Sequence, residues 1–203
     1  MKIETASVDA VIVYFEARIC EKVLDKVQHA YKVLQQLPHI INLTPSYHSL
    51  LVEYDIFKYD EATIKHTIRK YLESTTLLKA PMSNKCIHIP VDYTQGPDLS
   101  SVAKLHGLTP QEVIINHTQP IYRVYAIGFM VGFAYLAKVD VSIRTPRRAT
   151  PRAKVPKGSV AIAQTQTAIY PQESSGGWHI IGHTDFNDFH AFEIGDSVRF
   201  VSV

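Results

Sequence analysis

The sequence predicts an α+β chain of two parts: a small α/β sandwich, close to a ferredoxin-like unit, over residues 1–84, and a β-sandwich or barrel with two short helices over residues 85–203. Three observations predict it. Two stretches with apolar residues at about 3.6-residue spacing fall in the first 75 residues, each beside β-branched runs. Pro81-Met82-Ser83-Asn84 then breaks the pattern. From Ile121 onward no helical period remains, and short apolar runs alternate with Gly, Pro, Asn or Asp.

The elements follow in order. Residues 8–15, VDAVIVYF, read as a buried strand. Ile19, Val23, Val27, Tyr31 and Leu34 mark a helix that ends at Leu37, because Pro38 disfavours the α conformation in the residue before it. IINLTP and SYHSLLVEYDI are two further strands. Asp60 caps a second helix through Ile64, Ile68 and Leu72. The result is the order β-α-β-β-α. After the break, KCIHIPVDY is a strand and two short helices follow. Asp98 is placed to cap the first, which stops at Gly107. Thr109-Pro110-Gln111-Glu112 opens the second, with Pro at the first helical position and Glu placed for a capping box. YRVYAIGF, SVAIAQ, TAIYP, GWHIIG and SVRFV are the later strands.

Composition and charge exclude several classes. At 203 residues, 46% hydrophobic and 20% charged, the chain has enough apolar residues for a core in each part. No window approaches the roughly 20 apolar residues of a membrane span, and MKIETASVDAVIVYF lacks the pattern of a secretory signal. Two distant cysteines, Cys20 and Cys86, carry neither a disulfide framework nor a zinc signature. A reduced, cytoplasmic protein is expected.

The net charge is only +2, yet Arg144, Arg147, Arg148, Arg152, Lys154 and Lys157 crowd into 14 residues punctuated by Pro146, Pro151 and Pro156. Outside this ribbon, residues 85–203 hold five basic residues against nine acidic ones. The positive charge is therefore a local patch, too narrow for the many phosphate contacts of nucleic-acid binding. AKLHGLTPQEV has the outline of a helix-turn-helix, but Val113, Ile114, Ile115 and Asn116 offer no cation to phosphate or guanine, and a strand follows. A patch of this kind suits an anionic small molecule or a partner protein.

No GxxxxGK[ST], GxSxG or HExxH is present, which removes P-loop, hydrolase-elbow and zincin readings. His179 and His183 lie in a strand, too far apart for one metal, and read as structural; no metal site is expected.

Long strings then carry a resemblance. YRVYAIGFMVGFAYLAKVD and TPRRATPRAKVPKGSVAIAQTQTAIYPQESSGGWHIIGHT, with PSYHSLLVEYD, IPVDY, GPDL and NHT at Asn116–Thr118, resemble the family of 5-oxoprolinase B subunits over nearly the whole chain. That family is also called allophanate hydrolase subunit 1 and includes the sporulation-kinase inhibitor KipI. The resemblance implies an N-terminal α/β domain and a C-terminal cyclophilin-like β-barrel akin to a carboxyltransferase subdomain. It implies conversion of 5-oxo-L-proline to L-glutamate with ATP and its Mg2+, in complex with subunits A and C. The alternative it carries is inhibition of a sensor histidine kinase. Prolyl isomerisation, by analogy with the barrel, rests on shared fold alone.

Carried over by motif, His117 is an acid/base or orienting group and Arg148 a catalytic anion contact, with Arg147 and Arg152 as further anion contacts. Gln166 and Thr167 form a polar wall, Gly128 and Phe129 belong to the ligand-facing loop, and Trp178 supports the barrel. The chain departs from the family at Val131, Ala134, Ala137, Lys138, Gln164, Thr165 and Ala168, which replace glycine or proline, and at His183, which replaces arginine. A Cβ at such a position narrows a pocket or disfavours a positive φ.

Overall fold

The computed structural model describes residues 1–75 and 85–203, so the break expected at 81–84 lies outside the described residues. The chain divides into two compact units, Met1–Met82 and Ser83–Val203.

The first unit runs β1 (Lys2–Ser7), β2 (Ala10–Tyr14), α1 (Glu21–Leu34), β3 (Ile40–Ser46), β4 (Ser49–Tyr54) and α2 (Glu61–Ser74). Its sheet has the order β1-β2-β4-β3, with every neighbouring pair antiparallel. The expected β-α-β-β-α run is present. Strand β1, which the sequence did not announce, adds an edge beside β2. Only Ile3 of KIETAS is buried, so this strand has no alternating pattern to read. Helix α1 buries Val23, Leu24, Val27, Ala30, Val33 and Leu34. It stops three residues before the expected Leu37, because Gln36 N–H bonds the Val33 carbonyl and Leu37 N–H the Leu34 carbonyl, a 3₁₀ tightening before Pro38. Asp60 caps α2 by accepting the Thr63 N–H at 2.7 Å, while Ile64 and Ile68 turn inward. Val11, Val13, Leu50 and Val52 complete that core.

The second unit continues with β5 (Cys86–Val91), α3 (Leu99–His106), α4 (Pro110–Thr118), β6 (Tyr122–Ile127), β7 (Ala134–Ala137), β8 (Arg152–Val155), β9 (Ser159–Ala163), β10 (Gln166–Ile169), β11 (Ser174–Gly176), β12 (His179–His183) and β13 (Ser197–Ser202). Seven strands form one sheet in the order β12-β9-β10-β7-β6-β13-β5. It closes into a barrel where Asp92 and His183 exchange backbone hydrogen bonds of 2.8 and 2.9 Å beyond the end of β5. Inward-facing Ile89, Val91, Tyr122, Val124, Leu136, Ile162, Val198 and Phe200 fill the interior, joined by Leu99, Val102 and Ala103 from α3 and Val113 from α4. The barrel is thus a packed core. The α4 capping box forms as expected, with Thr109 and Glu112 each bonding the other's backbone. Gly107 ends α3 at φ +65°, a left-handed conformation that glycine adopts without strain.

The outer face of β7, β9, β10 and β12 carries a second cluster. Ala161, Ala163 and Ala168 form a floor of small side chains, and Phe133, Tyr170, Trp178 and Ile180 lie over it. The short hairpin-like pair β8–β11 covers one side, through Val155.

Candidate functional site

The arginine ribbon is tied down at both ends and in the middle. His179 and His183 project from β12, and their Nε2 atoms reach the Pro146 and Lys157 carbonyls at 3.0 and 3.2 Å. A carbonyl only accepts, so both imidazoles donate from Nε2. Gln164 N–H bonds the Thr145 carbonyl, and Arg148 N–H the Gly177 carbonyl at 2.8 Å.

The centre of the ribbon folds onto Asp98. This carboxylate is 4% exposed. Arg152 grips it bidentately at 2.7 and 2.8 Å, Arg148 Nη1 donates at 3.1 Å, and Ile180 N–H donates at 2.8 Å. Burial pushes the Asp98 carboxyl up. The Arg152 bond, the Ile180 amide and the two guanidinium charges outweigh it and hold the group below the usual carboxylate range. The sequence placed Asp98 as the N-cap of α3. The residue does precede that helix, but its side chain caps nothing, because these stronger donors take both oxygens.

Three other cations of the ribbon are also engaged. Arg144 Nε bonds the Val139 carbonyl, Lys154 pairs with Glu173, and Lys157 lies 5.9 Å from the centre of the Phe189 ring. Arg147 is exposed and makes no hydrogen bond or ion pair among the described residues. Its charge reaches Tyr135 and Tyr170, offsetting part of the upward push that burial gives both hydroxyls.

Tyr135 and Tyr170 belong to a cluster of aromatic rings. Phe133 meets Tyr135, Tyr170 and Trp178 at centroid distances of 4.8, 5.4 and 5.9 Å, and Phe129 meets Phe133 edge-on at 5.4 Å. Phe129 is 63% exposed and holds φ at +73°, an uncommon conformation for a bulky residue. It lines an open cavity of about 500 Å³ together with Ile127, Gly128, Met130, Val131, Gly132, Phe189, His190 and Phe192. Gly176 lets the GGW turn approach Tyr170: a Cβ there would sit 2.2 Å from the tyrosine hydroxyl.

His117 lies elsewhere, inside the barrel, at 0% exposure and stacked on Phe200 at 4.6 Å. Its Nδ1 meets the Tyr93 hydroxyl at 2.6 Å and its Nε2 the Thr167 hydroxyl at 2.8 Å. Thr167 donates its own proton to the Ala161 carbonyl, so it accepts from Nε2–H, and Tyr93 O–H donates to Nδ1. One directed chain therefore runs from Tyr93 through His117 and Thr167 to Ala161. Burial lowers the imidazole pKa to about 3, and the ring is neutral at pH 7.

The structure thus groups the residues singled out in the sequence into three sets. His117 and Thr167 meet inside the barrel. Arg148 and Arg152 meet on Asp98. Gly128 and Phe129 line the cavity, while Arg147 stands free. Gln166 precedes Thr167 on β10 and by alternation faces outward, in register with Ala137 and Ala163. Sequence reasoning missed Asp98 and Tyr135 as members of the site. The ribbon was the available signal for Asp98, since a guanidinium that becomes partly buried is commonly paired with a carboxylate. Gln164, in place of a family glycine, adopts φ +53° and so keeps the turn that glycine makes easily. Among the described residues no group of three His, Cys, Asp or Glu side chains could hold a metal, and no helix is long and apolar enough to cross a membrane.

Known proteins are similar to this chain in sequence and architecture. Residues 1–194 match the family described as carboxyltransferase domain, subdomain C and D. The chain is 40% identical over 177 residues to the 5-oxoprolinase B subunit of Haemophilus influenzae, covering 83% of this chain and 82% of the relative. It is 34% identical over 226 residues to the 5-oxoprolinase B subunit of Bacillus subtilis, covering 100% and 92%. The crystal structure of TTHA0988 superposes with a TM-score of 0.84 at 32% identity, over 96% of this chain. The chain spans only 40% of the length of TTHA0988. With matches across nearly its full length, the chain belongs to the carboxyltransferase subdomain C and D family, that of the 5-oxoprolinase B subunits.

Proposed function

We propose that this chain is the B subunit of an ATP-dependent 5-oxoprolinase, which converts 5-oxo-L-proline to L-glutamate in complex with subunits A and C. The observation that carries the reading is 34–40% identity to curated proteins of that name over most of the chain. The outer face supports it. 5-Oxoproline is a small flat lactam bearing one carboxylate, and the face pairs one free guanidinium, Arg147, with aromatic rings. An arginine fork takes a carboxylate bidentately, and Tyr135, on which the Arg147 charge acts, offers a surface to the ring.

A lactam resists hydrolysis at neutral pH. Transfer of the ATP γ-phosphoryl group to the lactam oxygen activates the ring carbon; one water adds there and the C–N bond opens to leave an acyl phosphate, which a second water hydrolyses to the carboxylate and phosphate. Glutamate, ADP and phosphate result. Arg148 and Arg152, only half neutralised by Asp98, add positive potential where anionic charge develops. Gln166 contributes a polar wall, and Gly128 and Phe129 form the rim of the cavity. His117 serves as an orienting group: its two nitrogens are bonded, and through Thr167 it fixes the strand under that wall. Mg2+ arrives with the nucleotide. The complex works in the cytoplasm, where ATP is available.

An omission experiment tests the reading. The chain is combined with subunits A and C, ATP and 5-oxoproline, and glutamate and ADP are measured. Glutamate released only when all three subunits and ATP are present supports it. A full complex that releases none, or one that works as well without this chain, overturns it. Inhibition of a sensor kinase is the less favoured reading, because the curated relatives carry the name of an enzyme subunit.

A further inference from the structure

We infer that Asp98 is the positioning residue of the anion-binding face: by clamping Arg148 and Arg152 it fixes the ribbon so that Arg147 alone is presented to the substrate carboxylate. The inference rests on the proposed function and goes beyond it in assigning unequal parts to the three arginines.

Four donors already occupy the Asp98 carboxylate, three of them from guanidiniums. A group 4% exposed and so fully bonded cannot itself touch substrate. Arg152 spends its fork on it and Arg148 one Nη1 donor, the buried Arg148 Nε having no partner among the described residues, and the two side chains are only 25% and 31% exposed. Arg147 is their neighbour and has no such partner among the described residues. Its backbone is pinned on both sides, by the Pro146 carbonyl on His179 and by Arg148 N–H on Gly177. The clamp joins three places far apart in sequence: the start of α3, strand β12 through Ile180, and the ribbon. Three guanidiniums against one carboxylate leave the assembly positive, which suits a monoanion. Removing Asp98 frees two guanidiniums to swing out and compete for the substrate, and it releases the segment that aims Arg147.

The test is a double-mutant cycle in the three-subunit complex, with Asp98→Asn and Arg147→Gln. Asp98→Asn is expected to raise KM for 5-oxoproline at least about tenfold, as loss of a charge-assisted contact does. Arg147→Gln should act similarly, and the double variant should be little worse than either alone. Asp60→Ala, which removes the α2 cap far from the ribbon in sequence, controls for simple destabilisation. An unchanged KM in Asp98→Asn, additive effects in the double variant, or an equal KM rise in Asp60→Ala overturns the inference. If Asp98→Asn does not fold, Arg152→Lys keeps the charge, loses the bidentate grip and must show the same coupling to Arg147. If the wild-type complex releases no glutamate, the proposed function falls, and limited trypsin digestion of the chain still reads the clamp. Cleavage after Arg147, Arg148 and Arg152 must then be at least about tenfold faster in Asp98→Asn than in wild type, and equal rates overturn the clamp as well.

Discussion

The buried His117 makes the stability of the second unit depend on pH, with a sign and size that follow from its surroundings. In the folded chain its pKa is about 3; in the unfolded chain a histidine titrates near 6.5. The folded state therefore stays neutral while the unfolded state takes up a proton. Above about pH 6.5 the stabilisation is complete. As pH falls from there towards 3, stability is lost at about 1.4 kcal/mol per unit, which amounts to about 2 kcal/mol at pH 5. The assay is urea unfolding at pH 7.5 and pH 5.0, followed by fluorescence. Trp178 is the single tryptophan and lies in the second unit, so the signal reports that unit. Other groups titrate over the same range, and the comparison with His117→Gln isolates this one. The variant keeps hydrogen-bonding groups near Tyr93 and Thr167 but has nothing to protonate. Wild type should lose about 2 kcal/mol more than His117→Gln between the two pH values. An equal loss in both proteins would falsify the account of a desolvated, neutral imidazole.

Two further predictions concern backbone positions. Gln164→Gly relieves a left-handed conformation costing about 1–2 kcal/mol, against about 0.4–1 kcal/mol of extra unfolded-state freedom; the Trp178 melting temperature should rise by about 1–4 °C, and a fall would contradict the strain. Gly176→Ala puts a methyl group against the Tyr170 hydroxyl and should cost about 1–3 kcal/mol; an unchanged melt would mean that the GGW turn does not hold this approach in solution.

What could be read from the sequence was whatever is local. The Thr109–Glu112 capping box, the Asp60 cap and the stop at Gly107 each lie within a few residues, and the structure contains all three. Strand β1 escaped because an edge strand with one buried residue has no periodicity. Asp98 was misread for a related reason. Its position before α3 is that of a cap, and the partners that override the cap come from residues 148, 152 and 180. His117 stood out by motif, but Tyr93 and Thr167 lie 24 and 50 residues away. Nothing local announces that both of its nitrogens are bonded. The ribbon's charge was visible at once; which of its arginines is free depends on where one buried carboxylate sits.

The most direct measurement is KM for 5-oxoproline in the reconstituted three-subunit complex, wild type against Arg147→Gln. Losing a charge-assisted hydrogen bond removes about 1.5–3 kcal/mol of binding. KM should therefore rise at least about tenfold, with the Trp178 melt unchanged, because Arg147 is exposed and bonds nothing among the described residues. An unchanged KM in an active complex would contradict the claim that this face of the chain holds the substrate carboxylate.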